Sequence, residues 1–432
     1  MLKRKIETRF EEWRKKENKT ALLIMGARQV GKTTSIRRFA KENYKYFLEI
    51  NFEEKPLLRN IFEGNLDADS IFEKLTVAGL GSLVPHQTLL FLDEIQACPK
   101  ARTAIKFLVE DGRLDIIESG SLLGINYGDV SSFPVGFEQK VEMHSLDFEE
   151  FLWAMGITEP TIAKVRQNFL SKTLVDPFIH GMFMEYFQRY LIVGGMPRVV
   201  MEYQQGKNLA GAMEQQKIIV GSYRDDIAKY AGRNKANAMA IFDSIPAQLS
   251  EKNKRFFLAN LEEGASNRKY GDPLYWLYDA GISLFCYNVS QLTIPFELNQ
   301  RRHIFKFFLR DTGLLSSMSL GNVQQAILNG DLNVNQGAIT ENCVADILFK
   351  NGHSLYYFDL KGRQEIDFVL DMNQKVVPLE VKSGLDAHRH PSLTHLLENP
   401  GVSVESALVL CRENISQNGK VTYLPLYMAM FL

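Results

Sequence analysis

Only four cysteines occur in 432 residues, and Cys98, Cys286, Cys343 and Cys411 stand far apart with no CxxC pair. That scarcity excludes a disulfide framework and a cysteine-rich zinc site, and predicts reduced, mostly buried thiols of a cytosolic protein. Long hydrophobic runs are also missing. Stretches such as ALLIM and LLFL fall far short of the ~20 apolar residues a membrane span needs. The opening MLKRKIETRFEEWRKKENK has no apolar h-region, so no secretory signal is expected. Nor is there an excess of either charge: 50 basic and 51 acidic side chains leave −1. This excludes a globally basic nucleic-acid coat and an acidic solvating tail, while leaving room for a local basic groove. Internal repeats, low-complexity segments and Gly/Ser linkers are absent. What is there is an ordinary globular mix, 45% hydrophobic and 23% charged, long enough for two or three domains with real cores. The expectation is a cytoplasmic, multidomain protein with no membrane partner.

Hydrophobic periodicity divides the chain. Residues 1–19 carry Leu2, Ile6, Phe10 and Trp13 at helical spacing. The interleaved glutamates favour a solvated helix docked by one apolar stripe over a basic arm on nucleic acid. From 20 to 155, short apolar runs (ALLIM, YFLEINF, TLLFLDEI, LDIIESG) alternate with helical stretches, as in a parallel sheet with crossover helices. Residues 156–235 read as a helical lid or linker, punctuated by Asp176-Pro177 and Gly194-Gly195. Residues 236–320 suit a winged-helix-like module, or equally a helical lid, with a break at Gly281. From 321 to 432 helix and strands alternate, the Asn/Gln-rich stretch 321–336 marking the last boundary.

Chemistry concentrates first at GARQVGKT, residues 26–33, which fits G-x-x-x-x-G-K-[ST] after an apolar strand and before a helix. Gly26 and Gly31 let the backbone of Ala27, Arg28, Gln29 and Val30 curl so that successive N–H groups, with those of Thr33 and Thr34, face one phosphate chain. The helix adds its positive N-terminal end. Lys32 is expected on the β- and γ-phosphates and Thr33 on Mg²⁺. TLLFLDEI supplies the second half: Asp93 as Mg²⁺ ligand at a strand's carboxyl end, and Glu94 polarising the attacking water. Together these predict ATP binding and hydrolysis. After the next strand, Ser119 or Ser121 can sense the γ-phosphate or simply form the turn.

With ESGSLLG and the helical LDFEEFL, these motifs make the chain resemble a large bacterial and archaeal family of AAA-type ATPases. Its members carry a C-terminal domain similar to restriction endonucleases. YLIVGGMP, YRDDIAKY, RDTGLL and EIDFVL…PLEVKSG extend the resemblance over nearly the whole chain. It implies an α/β protein with a P-loop NTPase parallel sheet, a winged-helix-like middle and a C-terminal α/β nuclease-like domain. One departure stands out. Where relatives usually carry Arg in Leu-Ala-Gly-Arg, this chain has Phe137 after Gly136. A cation for the phosphates must come from elsewhere: Arg28, Arg224, or a neighbouring domain or subunit. Slow turnover raised by DNA or a protein partner is then expected.

A second group of carboxylates lies near the C-terminus. Glu341 on a helix, Asp367 on one strand, and Glu380 with Lys382 on the next have the layout of the metal-dependent nucleases called PD-(D/E)XK. Period-2 alternation sends Glu380 and Lys382 to one side. Asp367, Glu380 and Glu341 then offer hard oxygen ligands for Mg²⁺, with Lys382 beside the attacking water. The competing reading is a nuclease-like fold that cleaves nothing, because E-x-K on a strand is common. His388, His390 and His395 read as surface residues. Arg301, Arg302, His303 and Lys306 form either a basic patch for DNA or, with Phe305, Phe307 and Phe308 interleaved, a strand buried on one face.

Overall fold

The computed structural model describes residues 2–81, 83–121, 134–320, 324, 336–359, 365–384, 386–399, 401 and 404–432. They form two compact units, residues 3–145 with 279–281, and residues 146–278 with 282–432.

In the first unit β1 (Ala21–Met25), β2 (Tyr46–Asn51), β3 (Thr88–Asp93), β4 (Asp115–Gly120) and β5 (Glu138–Glu142) form one sheet in the order β2-β3-β4-β1-β5. Every pairing is parallel. Central parallel strands are covered on both faces, which is why TLLFLD is apolar almost throughout and wholly buried. Alternation then sorts its side chains. Leu89 and Phe91 join Leu22, Ile24, Ile36 and Phe39 in one core, while Leu90 and Leu92 join Leu23, Ile71, Ala104 and Ile105 in the other. The N-terminal helix, Ile6–Arg14, docks on the first core through Ile6, Phe10 and Trp13, as its apolar stripe predicts. Trp13 Nε1 donates to Thr20 O at 2.8 Å, so its polar edge is satisfied as well.

The parallel register sets the site. Met25 pairs with Gly120, Asn51 with Asp93, and Leu92 with Glu118. The carboxyl ends of four strands are therefore flush, and the residues beyond them gather at one edge.

In the second unit β6 (Ser283–Val289), β7 (Gln300–Leu309), β8 (Tyr356–Asp359) and β9 (Glu365–Ile366) form a sheet in the order β7-β6-β8-β9. A second sheet runs β10-β11-β12-β14-β13, with β10 (Phe368–Asp371), β11 (Val376–Val381), β12 (Ala407–Cys411), β13 (Ser416–Asn418) and β14 (Val421–Pro425). Two expectations change here. EIDFVLDMN reads as one strand, but the chain breaks at Asp367: β9 pairs with β8 and β10 with β11, in different sheets. The winged-helix-like segment is not walled off from the C-terminal segment. Buried Leu284 and Cys286 leave β6 an interior strand, with antiparallel β7 on one side and parallel β8 on the other. The expected boundary at 321–336 lies, apart from Gln324 and Gln336, outside the described residues.

Helical segments read separately in the sequence also interlock. Gly195 N donates to buried Asp311 (2.9 Å), and Ser316 Oγ donates to Leu191 O (2.6 Å). A Cβ on Gly313 would fall 2.3 Å from Val193 O, and one on Gly195 2.0 Å from Leu146 O. The phrases YLIVGGMP and RDTGLL thus encode one close backbone crossing. All four cysteines are buried and free. Among the described residues no helix is long and apolar enough to cross a membrane.

Candidate functional site

The loop between β1 and the helix Lys32–Asn43 needs its glycines. Gly26 has φ 151, and a Cβ there would lie 2.1 Å from Met143 O; Gly31 has φ 98 and precedes the helix. Arg4 braces the loop from behind, donating to Val30 O (2.8 Å) and His144 O (2.6 Å). Lys32 Nζ donates to Gly26 O and Ala27 O, both at 2.8 Å, folding back over the loop. Burial pulls its ammonium down to about 8, against Glu94 and Asp93, which favour the charged form. Phosphate oxygens are better acceptors for a buried cation than loop carbonyls. Ala27 and Val30 are buried, Arg28 is half-buried, and Gln29 and Thr34 are exposed.

Asp93 closes β3, nearly fully buried, and is the hub. Its carboxylate accepts from Thr33 Oγ (3.2 Å), from Asn51 Nδ2 (3.0 Å) and from Ser119 Oγ. Burial pushes Asp93 above the usual carboxylate range, partly offset by the Ser119 and Thr33 hydroxyls. Thr33 and Asp93 offer the hard oxygens Mg²⁺ takes, so this donor set fits the ion. Ser119 is thus bound to the carboxylate, neither a turn former nor free. Glu94 comes next with φ 53, a left-handed conformation of the kind stored at functional sites. Its Oε2 accepts from Gln96 Nε2 (2.5 Å) and Ser121 Oγ (3.2 Å), and Arg28 Nε reaches Ser121 Oγ at 3.4 Å.

Asn51 and Gln96 escape sequence reasoning. The available signal was positional: Asn51 ends the strand whose register meets Asp93, and Gln96 lies two residues past Glu94. Phe137 precedes β5, with Lys106 Nζ 5.7 Å from its ring centroid. Arg224, a candidate cation for the phosphates, lies in the second unit and pairs with Asp243 at 2.8 Å.

The second unit does bring the predicted carboxylates together. Glu380 in β11 and Lys382 just past its end meet on one side, 2.8 Å apart, as alternation requires. Asp367, at the break between β9 and β10, accepts from Val381 N at 2.8 Å. Burial, and then the Asp367 charge, push Glu380 up to about 8. Glu341, however, is turned toward Lys254 and Lys306. Lys306 Nζ lies 2.8 Å from Glu341, 2.5 Å from Glu365 and 4.0 Å from Asp367, and Lys254 also pairs with Glu341. Glu341, Glu365 and Asp367 converge, with oxygens within 4.8 Å of one another. The acids that would share a cation therefore already share an ammonium. The expected set of Glu341, Asp367 and Glu380 thus becomes Glu341, Glu365 and Asp367 around Lys306, with Glu380 on Lys382. A divalent ion does not fit this donor set unless Lys306 leaves.

Lys306 also leaves the basic patch. It is fully buried between Phe305 and Phe307, whereas Arg302 and His303 remain exposed. The surface reading of the histidines holds for His395 and His388, the latter 3.2 Å from Glu413. It fails for His390, which is buried with Nε2 2.8 Å from the Tyr423 hydroxyl.

Residues 18–152 match the family model described as an AAA domain. Residues 184–325 and 336–428 match two domains of unknown function, DUF8612 and DUF4143. No curated protein matches the chain. Among solved structures it is similar to the Walker-type ATPase of Pyrococcus abyssi, at 15% identity and a TM-score of 0.46, covering 74% of this chain and 96% of that one. The Aeropyrum pernix ORC1 protein in complex with DNA matches at 11% identity and a TM-score of 0.27, covering 81% and 94%. The flush strand ends, the glycine loop and the Asp93 hub all lie within residues 18–152, the part of the chain that matches the AAA domain.

Proposed function

We propose that this protein is an ATP-driven switch: the first unit binds ATP with Mg²⁺ and hydrolyses it, and the nucleotide state controls what the second unit binds. One observation carries the ATP reading. A single buried carboxylate, Asp93, accepts from the loop's Thr33 and from the ends of two neighbouring strands, with Lys32 folded over the same loop. Thr33 and Asp93 would hold Mg²⁺, which supplies charge neutralisation at the β- and γ-phosphate oxygens. Lys32 would exchange its two carbonyl partners for phosphate oxygens. Glu94, oriented through one carboxylate oxygen by Gln96 and Ser121, keeps the other for the attacking water.

For the second unit the nuclease-like reading is supported by the gathering of Glu341, Glu365 and Asp367 and by the Glu380–Lys382 pair beside Asp367, and DNA is the candidate partner. The pairing of Glu341 with Lys254 and Lys306 favours a nuclease-like domain that docks a partner without cutting it. Calorimetry tests the nucleotide assignment: ATP binds the wild type, and Lys32→Ala abolishes the heat. Undiminished affinity in Lys32→Ala would remove Lys32 from the phosphate site.

A further inference from the structure

We infer that Lys306 stands where a divalent cation would sit among Glu341, Glu365 and Asp367, making this centre a lysine-bridged acid cluster that needs no metal. The three carboxylates come from three elements: the helix Gly337–Lys350, β9, and the break between β9 and β10. Glu365 and Asp367 are two residues apart, but Glu341 comes from 24 positions before Glu365, and the oxygens of all three lie within 4.8 Å of one another. Carboxylates that close need a cation or a shared proton. The ammonium of Lys306 lies 2.8 Å and 2.5 Å from two of them and 4.0 Å from the third.

The lysine is built in. Its side chain is 0% exposed, it stands in the apolar run IFKFFL of β7, and Nζ lies 4.9 Å from the Tyr357 ring centroid. Lys254, at 22% side-chain exposure, adds a second ammonium on Glu341 from the solvent side. Glu380 has its own cation in Lys382. Four acids thus share three lysines within the chain, and burial pushes Asp367 and Glu380 toward the protonated form, which offsets the remaining negative charge. An ammonium offers no open coordination position and lowers no bound water's pKa, so the cluster holds the elements together without activating water. The inference deepens the docking reading of the second unit and is independent of ATP hydrolysis by the first.

The test uses the full chain and Mn²⁺ alone as probe. Wild type should give no Mn²⁺ binding heat attributable to this cluster and no Mn²⁺-dependent change in its melting. Lys306→Met removes the ammonium the three carboxylates share and leaves only Lys254 on Glu341, so Mn²⁺ should raise its Tm by at least ~2 °C. Asp367→Asn in that background should remove the rise. If Lys306→Met does not fold in the absence of metal, it should fold when refolded with Mn²⁺. A variant that neither responds to nor is rescued by Mn²⁺ overturns the proposal. So does a wild-type Mn²⁺ site lost in Asp367→Asn. Plasmid nicking, measured in the same samples, separates the two readings. Metal binding without nicking overturns the lysine assignment alone, and Asp367-dependent nicking overturns the docking reading too.

Discussion

Thr33 Oγ stands 3.2 Å from Asp93 Oδ2, joining the phosphate loop to the end of β3 across 60 positions of sequence. Two local facts produce the contact. The loop's glycines deliver Thr33 into the first turn of a helix, and the parallel register brings Asp93 to the same edge of the sheet. Thr33→Ala and Asp93→Asn should therefore act alike. Each should leave nucleotide binding measurable in EDTA and remove the Mg²⁺-dependent gain in ATP affinity. Calorimetry with and without Mg²⁺ checks this, and a full Mg²⁺ gain in either variant would count against the assignment.

Gly26 tests the loop itself. Its φ of 151 and the 2.1 Å approach a Cβ would make to Met143 O leave no room for a side chain. Gly26→Ala should destabilise the first unit by more than ~1 kcal/mol and abolish ATP binding. A melting curve and an ATP titration on the same sample read both effects.

Gln96 and Ser121 act through Glu94, so their loss should appear in kcat more than in KM. Removing either donor from Oε2 frees the carboxylate to rotate, and misplacement of this order costs up to about 10²-fold in rate. Gln96→Ala should lower kcat with KM for ATP nearly unchanged; a change confined to KM would contradict a positioning role.

Buried Glu118 makes a pH prediction. Neither of its oxygens has a hydrogen-bond partner among the described residues, and burial, with the neighbouring Glu138, pushes it up to about 8 despite Arg102. Its native pKa is above the unfolded carboxylate value, so the native state holds a proton that the unfolded chain releases. Its contribution to stability is then full below about pH 4.5 and is lost as pH rises to about 8. Glu118→Gln should flatten the fall in Tm between those limits. A pH profile identical to wild type would show that Glu118 is ionised in the folded chain.

The parts legible in sequence are those written contiguously. GARQVGKT and TLLFLDEI each encode a strand and the chemistry at its end, and period-2 alternation correctly put Glu380 and Lys382 on one side. What escaped depends on partners far along the chain. Asn51 meets Asp93 only through strand register, and Lys254 and Lys306 reach Glu341 across 87 and 35 positions. The one local hint was Lys306 itself, a charge inside the apolar run IFKFFL, which a buried strand tolerates only with a partner. The split at Asp367 was hidden because EIDFVLD carries no Gly or Pro to mark a break. The helical segments looked separable because glycine pairs that end helices also permit close crossings.

Phosphate release from ATP by the wild type and by Glu94→Gln, each with its ATP affinity measured, tests the switch most directly. The account predicts slow Mg²⁺-dependent release by the wild type, and about 10²- to 10⁴-fold less by Glu94→Gln at unchanged affinity. Equal turnover by the two proteins, or none by the wild type with ATP bound, would contradict it.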